Sequence, residues 1–124
     1  MRAFVTGGSG HVGGNLVREF LTRGFEVDCL VRSDVRSLEN LDVNLVTGDM
    51  LNAKQMAALM SDCDVVFHSA AFVAVEKINE DLMFKINVQG TQSIVSGAIE
   101  SGVNKLVHFS SIHAFEQNPT NEPL

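Results

Sequence analysis

A glycine-rich segment near the start of the chain has the spacing of a phosphate-binding loop. Thr6–Gly13 fits two overlapping patterns: GxxGxxG through Gly7, Gly10 and Gly13, and GxGxxG with Gly8 in place of Gly7. In either pattern glycine allows a tight turn, a close approach of the backbone to a pyrophosphate, and close packing of helix on strand. A strand-like run precedes the segment and a helix-like run follows it, which favours a dinucleotide site over a plain turn.

Residues at the start of the predicted helix complete this loop. Free N–H groups at a helix N-terminus face an anion, so we expect Ser9, His11 and Val12 to contact the cofactor together with the glycines. His11 could be a charged phosphate ligand. The favoured interpretation is that its side chain covers the loop while its backbone N–H faces the phosphate.

An arginine takes the position at which an NAD enzyme places an acid on the ribose hydroxyls. Arg32 directly follows the second predicted strand, and Arg36 stands one helical turn further on. A guanidinium binds a 2'-phosphate through paired hydrogen bonds, so NADP is favoured over NAD as the cofactor. A solvated surface arginine is the alternative. Asp28 lies in mid-strand, four positions earlier, and does not fit the ribose role.

The elements that must position these residues alternate between strands and helices. Short apolar runs predict strands at Ala3–Val5, Val27–Val31, Val43–Val46, Val65–Phe67 and Leu106–Phe109. Helical periodicity predicts one helix from Val12 that ends at Gly24, one over Ala53–Met60, and one over Asn79–Ser101 that ends at Gly102. The alternation predicts an α/β fold with a doubly wound parallel sheet. Right-handed crossovers then give the strand order 3-2-1-4-5 of a Rossmann fold.

The composition is that of an ordinary single domain. The chain has 124 residues, 45% of them hydrophobic, and a formal net charge of -6. The acidic balance lacks the basic face that nucleic acid requires, and no apolar run approaches the roughly 20 residues that span a bilayer. Cys29 and Cys63 have no metal-type spacing, so buried reduced thiols are favoured over a disulfide and no metal site is expected. Met1 leads directly into a strand, which leaves no room for a signal peptide, and we expect a cytoplasmic protein.

The glycine spacing after Thr6 resembles that of the short-chain dehydrogenase/reductase superfamily. Further segments resemble its extended branch, the NAD-dependent epimerase/dehydratase family: Gly48-Asp49, His68-Ser69-Ala70-Ala71, Asn87-Val88-Gln89-Gly90-Thr91 and Ser110-Ser111. The matches are most similar to dihydroflavonol-reductase-like, hydroxysteroid-dehydrogenase-like and nucleoside-sugar epimerase/dehydratase proteins. The resemblance implies an oxidoreductase, epimerase or dehydratase that acts on a carbonyl or hydroxyl carbon by hydride transfer.

The same resemblance implies roles for residues that follow the strands. Asp49, with the Met50 backbone beside it, would accept a hydrogen bond from the adenine amino group. The alternative is an acid at a helix N-terminus near Asn52, and both could hold. Ala70 and Ala71 are small where the cofactor ribose passes close to the sheet.

Two further polar residues belong to the matched segments. The family uses the position of Asn87 to brace the site, and an incidental exposed asparagine is the alternative. His68 is interpreted as a strand-end histidine bonded to the backbone rather than as a catalyst.

The resemblance also indicates what this sequence does not contain. In the family a Tyr moves a proton to or from the substrate oxygen, a Lys four residues later lowers its pKa, and a Ser orients the substrate. Ser111 is the candidate serine and Ser110 the alternative, whereas the sequence has no Tyr. We therefore expect residues 1–115 to form an incomplete Rossmann domain, 116–124 a loop at a point of truncation, and the chain to bind NADP or NAD without turnover.

Two other functions remain open on the sequence. A non-catalytic NADP-sensing regulator of the same superfamily would also lack the Tyr, although it would have no need of Ser110-Ser111 or the Asn87 motif. A scaffold that has lost its cofactor would have no need of the intact glycine loop. For a full-length enzyme we expect a small-molecule substrate.

The third predicted helix carries two apolar stripes, which predict a homo-oligomer. The stripes are Met83, Ile86, Gly90 and Ile94 on one side, and Phe84, Val88, Val95 and Ile99 on the other. One stripe can pack on the sheet, and the other then needs a partner. The fifth strand adds an apolar edge with open N–H and C=O groups, unless the terminal loop folds back over it.

Overall fold

A parallel sheet organises the chain. The computed structural model describes residues 1–32, 35–70 and 80–110. Its strands are β1 (Arg2–Thr6), β2 (Glu26–Val31), β3 (Asn44–Thr47), β4 (Val65–His68) and β5 (Lys105–His108). They lie in the order β3-β2-β1-β4-β5, and every neighbouring pair is parallel. The predicted fold class and strand order are therefore confirmed.

α-Helices follow β1, β3 and β4, and a 3-10 helix over Arg36–Leu38 follows β2. The α-helices are α1 (His11–Thr22), α2 (Ala53–Met60), α3 (Glu80–Phe84) and α4 (Gly90–Ser101). Gly24 and Gly102 follow α1 and α4 at φ 80° and 75°, the left-handed conformation that residues with a Cβ rarely adopt. The side chain of Asn52 accepts a hydrogen bond from the Gln55 N–H and so caps α2. None of the helices in the described part is long and apolar enough to cross a membrane.

The predicted long helix is helical throughout its described part, Glu80 to Ser101, but it is not a regular α-helix over its whole length. A π-helical turn over Lys85–Gln89 separates α3 from α4. The hydroxyl of Thr91 donates a 2.8 Å hydrogen bond back to the carbonyl oxygen of Asn87. Side-chain bonds of this kind compete with the regular helical pattern. Single π-helical turns occur frequently at functional sites.

One apolar cluster fills each face of the sheet. The cluster on the α1 side contains Ala3, Val5, Val17, Phe20, Val27 and Cys29. The cluster on the side of α2 and α4 contains Phe4, Met56, Met60, Val66, Ile94 and Ala98. Consecutive residues of β1 enter opposite clusters, so this strand is buried on both sides, as a central parallel strand should be.

The two apolar stripes of the third predicted helix have different surroundings. Gly90 and Ile94 are buried, whereas Phe84, Val88, Val95 and Ile99 are exposed, Ile99 by 76%. The first stripe therefore reaches the core through Gly90 and Ile94, and the expectation that the second stripe needs a partner stays a prediction. β5 pairs with β4, and no strand among the described residues pairs with its other edge.

Candidate functional site

A cleft of about 810 Å³ opens at the carboxyl ends of the strands. Its walls come from the ends of β1 and β2, the residues around the end of β3, the loop after β4, and α3 with the π-helical turn. The sheet order reverses between β1 and β4. Open α/β sheets bind their ligands at such a reversal, outside the carboxyl ends of the strands. The position of the cleft is therefore that of a ligand site.

The glycine loop is built on Gly7, Gly10 and Gly13 rather than on the pattern with Gly8. Gly7 has a φ of 72°, and a Cβ there would lie 2.7 Å from the backbone nitrogen of Ala70. A Cβ on Gly13 would overlap the carbonyl oxygen of Gly7. The N–H of Gly10 donates a 3.0 Å hydrogen bond to the same oxygen. Gly8 is not among the glycines with positive φ, so its place in the turn does not depend on the left-handed conformation.

The N-terminus of α1 begins at this loop without a side-chain cap. Gly10 is the N-cap residue, and the first turn contains no acidic residue. A helix start of this type presents free N–H groups and a partial positive charge, which together bind anions. Ser9 and Gly10 are exposed and line the cleft, so an anion placed there reaches both the loop and the helix start.

Most of the predicted cofactor residues surround this cleft. Its lining includes Gly7, Ser9, Gly10, Arg32, Asp49, Met50 and Ala70. His11 and Val12 are exposed at the start of α1 but lie outside the lining, and Gly13 is buried behind the loop. Their individual contacts with a cofactor remain predictions.

The remaining predicted site residues are Ala71, Ser111 and Asn87. Ala71 and Ser111 are outside the described residues. Asn87 lies in the π-helical turn beside Lys85 and Ile86, both of which line the cleft. Ser110, the alternative serine, is exposed shortly after the end of β5.

The two charged residues considered for the ribose position have different environments. Arg32 is exposed at the end of β2 and lines the cleft. Asp28 is buried within β2, where its carboxylate accepts hydrogen bonds from Asn44 Nδ2 at 2.8 Å and from Arg2 Nη1 at 3.3 Å. This carboxylate links three strands of the sheet and lies outside the lining of the cleft.

Asp49 shapes the turn before α2 and also lines the cleft. Its Oδ1 accepts a 2.9 Å hydrogen bond from the Leu51 N–H, and its own N–H donates a 2.8 Å bond to Gln55 Oε1. The N-cap role belongs to Asn52. An exposed carboxylate that is held in this way on the wall of the cleft is compatible with an adenine contact, which remains a prediction.

His68 is completely buried at the end of β4. Its Nδ1 lies 2.7 Å from Thr6 Oγ1, and its Nε2 lies 2.9 Å from Thr91 Oγ1. The expectation that this histidine is bonded to the backbone is therefore wrong, because the ring lies between β1 and α4 and meets a hydroxyl from each. Burial and, to a lesser degree, the neighbouring imidazole of His108 lower the pKa of His68 to about 4.

Sequence reasoning missed Thr91 and Lys85. Thr91 belongs to the matched segment, and a hydroxyl four residues after Asn87 on a helix could have been recognised as a partner of that carbonyl. Lys85 adds a positive charge to the wall of the cleft. No spacing in the sequence indicates this position, because it depends on the π-helical turn.

Cys29 and Cys63 are buried free thiols, as predicted. Within residues 1–32, 35–70 and 80–110, no group of three or more His, Cys, Asp or Glu side chains could hold a metal ion.

The fold and the cleft define a Rossmann-type domain with a glycine-rich loop between β1 and α1. Residues 4–124 match the profile of the 3-beta hydroxysteroid dehydrogenase/isomerase family. The chain belongs to this family, within the extended short-chain dehydrogenases/reductases.

Individual relatives support the same assignment. Sterol demethylase protein B of Methylococcus capsulatus is 36% identical over 121 residues, which are 96% of this chain and 37% of that protein. A dihydroflavonol 4-reductase-like protein of Synechocystis sp. is 39% identical over 90% of this chain and 33% of its own. The structure of UDP-glucose-4-epimerase from Stenotrophomonas maltophila, with bound NAD and formylated UDP-arabinopyranose, has a TM-score of 0.81 and 28% identity over 91% of this chain and 38% of that one. The chain spans about a third of the length of these relatives.

Proposed function

We propose that this chain forms the dinucleotide-binding part of an NAD(P)-dependent oxidoreductase, epimerase or dehydratase. One observation carries the proposal: a loop that only glycine can form at Gly7 and Gly13 brings the uncapped start of α1 to the cleft. Such a loop lets the backbone approach a pyrophosphate closely. When bound, the dinucleotide supplies the group that gives or accepts hydride.

In this proposal each wall of the cleft contacts a different part of the dinucleotide. The pyrophosphate lies on the N–H groups that follow Gly10, and the adenine lies beside Asp49 and Met50. The nicotinamide ribose passes the small residues Ala70 and Ala71. Asn87 braces the opposite wall from the π-helical turn.

We further propose that the chain prefers NADP(H) to NAD(H) because Arg32 lies exposed on the cleft at the end of β2. The epimerase named above carries NAD, so the preference rests on this arginine. A charge-assisted phosphate contact is typically worth about 1.5–3 kcal/mol, which corresponds to roughly 10- to 100-fold in affinity.

Calorimetric titration with both cofactors tests the preference. Arg32→Ala should reduce the affinity for NADP(H) and leave that for NAD(H) nearly unchanged. Arg23→Ala removes the same charge from an exposed position that pairs with Glu19, and should keep the preference. Equal affinities in the unaltered chain, or a preference that survives in Arg32→Ala, would show that Arg32 does not read the 2'-phosphate.

The family resemblance implies that turnover uses a Tyr as the proton carrier, and the chain contains no Tyr. Without that Tyr, the proton transfer that accompanies hydride transfer lacks the carrier that the family uses. We therefore propose that the chain alone binds cofactor without turnover, with Ser111 as the residue that orients substrate. Oxidation or reduction of cofactor above the blank with carbonyl or sugar-nucleotide substrates, abolished in Ser111→Ala, would contradict this proposal.

For the whole protein we propose a cytoplasmic enzyme that acts on a small molecule with a carbonyl or hydroxyl carbon. The names of the relatives, which include a reductase and an epimerase, support this class of reaction.

We also propose that the chain self-associates through its exposed stripe of Phe84, Val88, Val95 and Ile99. Light scattering after size exclusion should detect a dimer or larger species. Ile99→Glu should shift it towards monomer, and Ser96→Glu, at an exposed position of the same helix outside the stripe, should not. A monodisperse monomer at high concentration would contradict the proposal.

A further inference from the structure

His68 connects two elements that are distant in the sequence. Its ring is completely buried, and each ring nitrogen meets one threonine hydroxyl: Nδ1 meets Thr6 Oγ1 of β1 at 2.7 Å, and Nε2 meets Thr91 Oγ1 of α4 at 2.9 Å. A fully buried imidazole with both nitrogens satisfied is fixed in position and orientation.

The partners of the two hydroxyls determine the direction of these bonds. A hydroxyl has one hydrogen to donate. Thr91 Oγ1 donates its hydrogen to the carbonyl oxygen of Asn87 at 2.8 Å, so it can only accept from His68, and the Nε2 of the ring carries the hydrogen. Thr6 Oγ1 accepts from the Ala70 N–H at 3.1 Å and donates its own hydrogen to Nδ1. The ring is therefore the neutral Nε2–H tautomer.

The resulting series of hydrogen bonds joins two elements of the cleft wall. It begins at the N–H of Ala70, which lines the cleft after β4, and ends at the carbonyl of Asn87 in the π-helical turn. The neighbouring residues Lys85 and Ile86 also line the cleft. His68 does not line the cleft itself, so its influence on a ligand must pass through these neighbours.

We propose that His68 is a positioning residue that, as the neutral Nε2–H tautomer, holds the π-helical turn against the end of β4 and thereby sets the width of the dinucleotide cleft. This inference rests on the proposed dinucleotide function and deepens it. Protonation would add a hydrogen to Nδ1, which faces Thr6 Oγ1. Thr6 Oγ1 already accepts from the Ala70 N–H and would then have to accept from Nδ1 as well, so the hydrogen bond between Thr6 and His68 would reverse its direction. The lowered pKa of His68, about 4, keeps the ring neutral near pH 7.

The test uses the full chain and a pair of variants at Thr91, which does not line the cleft. Thr91→Val keeps the shape of the side chain but removes the hydroxyl, whereas Thr91→Ser keeps the hydroxyl. We expect Thr91→Val to raise the Kd for the dinucleotide roughly tenfold, because His68 Nε2–H loses its acceptor and is no longer hydrogen-bonded to the helix that carries the π-helical turn. The Kd of Thr91→Ser should stay within about twofold of the original value. Thermal unfolding without ligand, recorded in parallel, separates loss of folding from loss of affinity.

A second measurement does not depend on dinucleotide binding. The ring-nitrogen NMR signals of His68 in the unaltered chain should show a protonated Nε2 and an unprotonated Nδ1. Amide hydrogen exchange across Lys85–Gln89 should be faster in Thr91→Val than in Thr91→Ser. If the unaltered chain binds neither cofactor, the proposed function fails, and this exchange pattern still supports or refutes the positioning role.

Several outcomes would overturn the inference. A protonated Nδ1 at neutral pH would contradict the direction of the hydrogen bonds. A folded Thr91→Val that keeps the original Kd and the original exchange rates would show that the contact is packing alone. A Thr91→Ser that is as weak as Thr91→Val would contradict the role of the hydroxyl, because a variant that keeps the hydroxyl would then lose as much affinity as one that lacks it.

Discussion

The imidazole of His68 makes the stability of the fold depend on pH. In the unfolded chain it titrates near the ordinary value of about 6.5. In the folded protein, burial and the nearby imidazole of His108 lower its pKa to about 4. Between these two values the unfolded state binds more protons than the folded state, so acidification favours unfolding. The stabilisation is fully present above pH 6.5 and is lost as the pH falls towards 4.

The size of the effect follows from the shift. Each pKa unit corresponds to about 1.4 kcal/mol. Moving from about pH 7.5 to pH 5 should therefore remove about 2 kcal/mol of the free energy of unfolding through His68, and complete protonation of both states should remove about 3 kcal/mol. His108, whose ring centroid is 5.3 Å from that of His68, is the titratable neighbour that contributes to the shift.

Urea unfolding followed by circular dichroism is the suitable assay, since the chain has no Trp or Tyr for fluorescence. His68→Gln removes the titrating group. Over the same pH interval its free energy of unfolding should therefore fall by about 2 kcal/mol less than that of the unaltered chain. His108→Gln, at an exposed position, should keep most of the pH dependence. Equal losses in the unaltered chain and in His68→Gln, or a His68 that titrates near pH 6.5 by NMR in the folded protein, would refute the reasoning.

Two further predictions concern the glycine loop and the thiols. Gly13→Ala should lower the free energy of unfolding by about 2–3 kcal/mol and abolish dinucleotide binding, because its Cβ would overlap the Gly7 carbonyl oxygen. Urea unfolding measures the loss of stability, and calorimetry measures the loss of binding. Burial raises the pKa of Cys29 to about 11 and, with the Asp28 carboxylate also contributing, that of Cys63 to about 12, so both thiols should resist alkylation at neutral pH until the chain is unfolded.

The predictions for the glycine loop and for the thiols each have a direct control. Gly14→Ala should be neutral or stabilising, since its Cβ would meet the flexible end of Arg18 at 3.3 Å and helices favour alanine. A Gly13→Ala variant that binds as well as Gly14→Ala would contradict the steric argument. Alkylation of Cys63 in the native protein at the rate seen in urea would contradict its burial.

Local spacing was enough to predict the architecture. Apolar runs that alternate with helical stripes and glycine-terminated helices indicate strand and helix positions, because these signals depend on residues close together in the chain. The order 3-2-1-4-5 then follows from parallel pairing and right-handed crossovers, which leave few other topologies. The matched motifs added the expected cofactor class.

The physical reason for the choice between the two glycine patterns needed the tertiary structure. The spacing alone left both Gly7 and Gly8 acceptable as the first glycine, and only the family resemblance favoured Gly7. The structure decides for Gly7, because its positive φ and the nearby backbone of Ala70 exclude a side chain there. Ala70 follows a different strand, so no local pattern could reveal this contact.

The side-chain contacts inside the site also needed the tertiary structure. His68 lies 62 residues from Thr6 and 23 from Thr91 in the sequence, and its bonding could not be read from its position at a strand end. The π-helical turn was equally invisible, because its residues match a regular amphipathic helix. Sequence patterns therefore determined which elements form and in what order. Only packing determined which side chains contact each other, since each such contact joins elements that are far apart in the sequence and depends on how those elements pack in the fold.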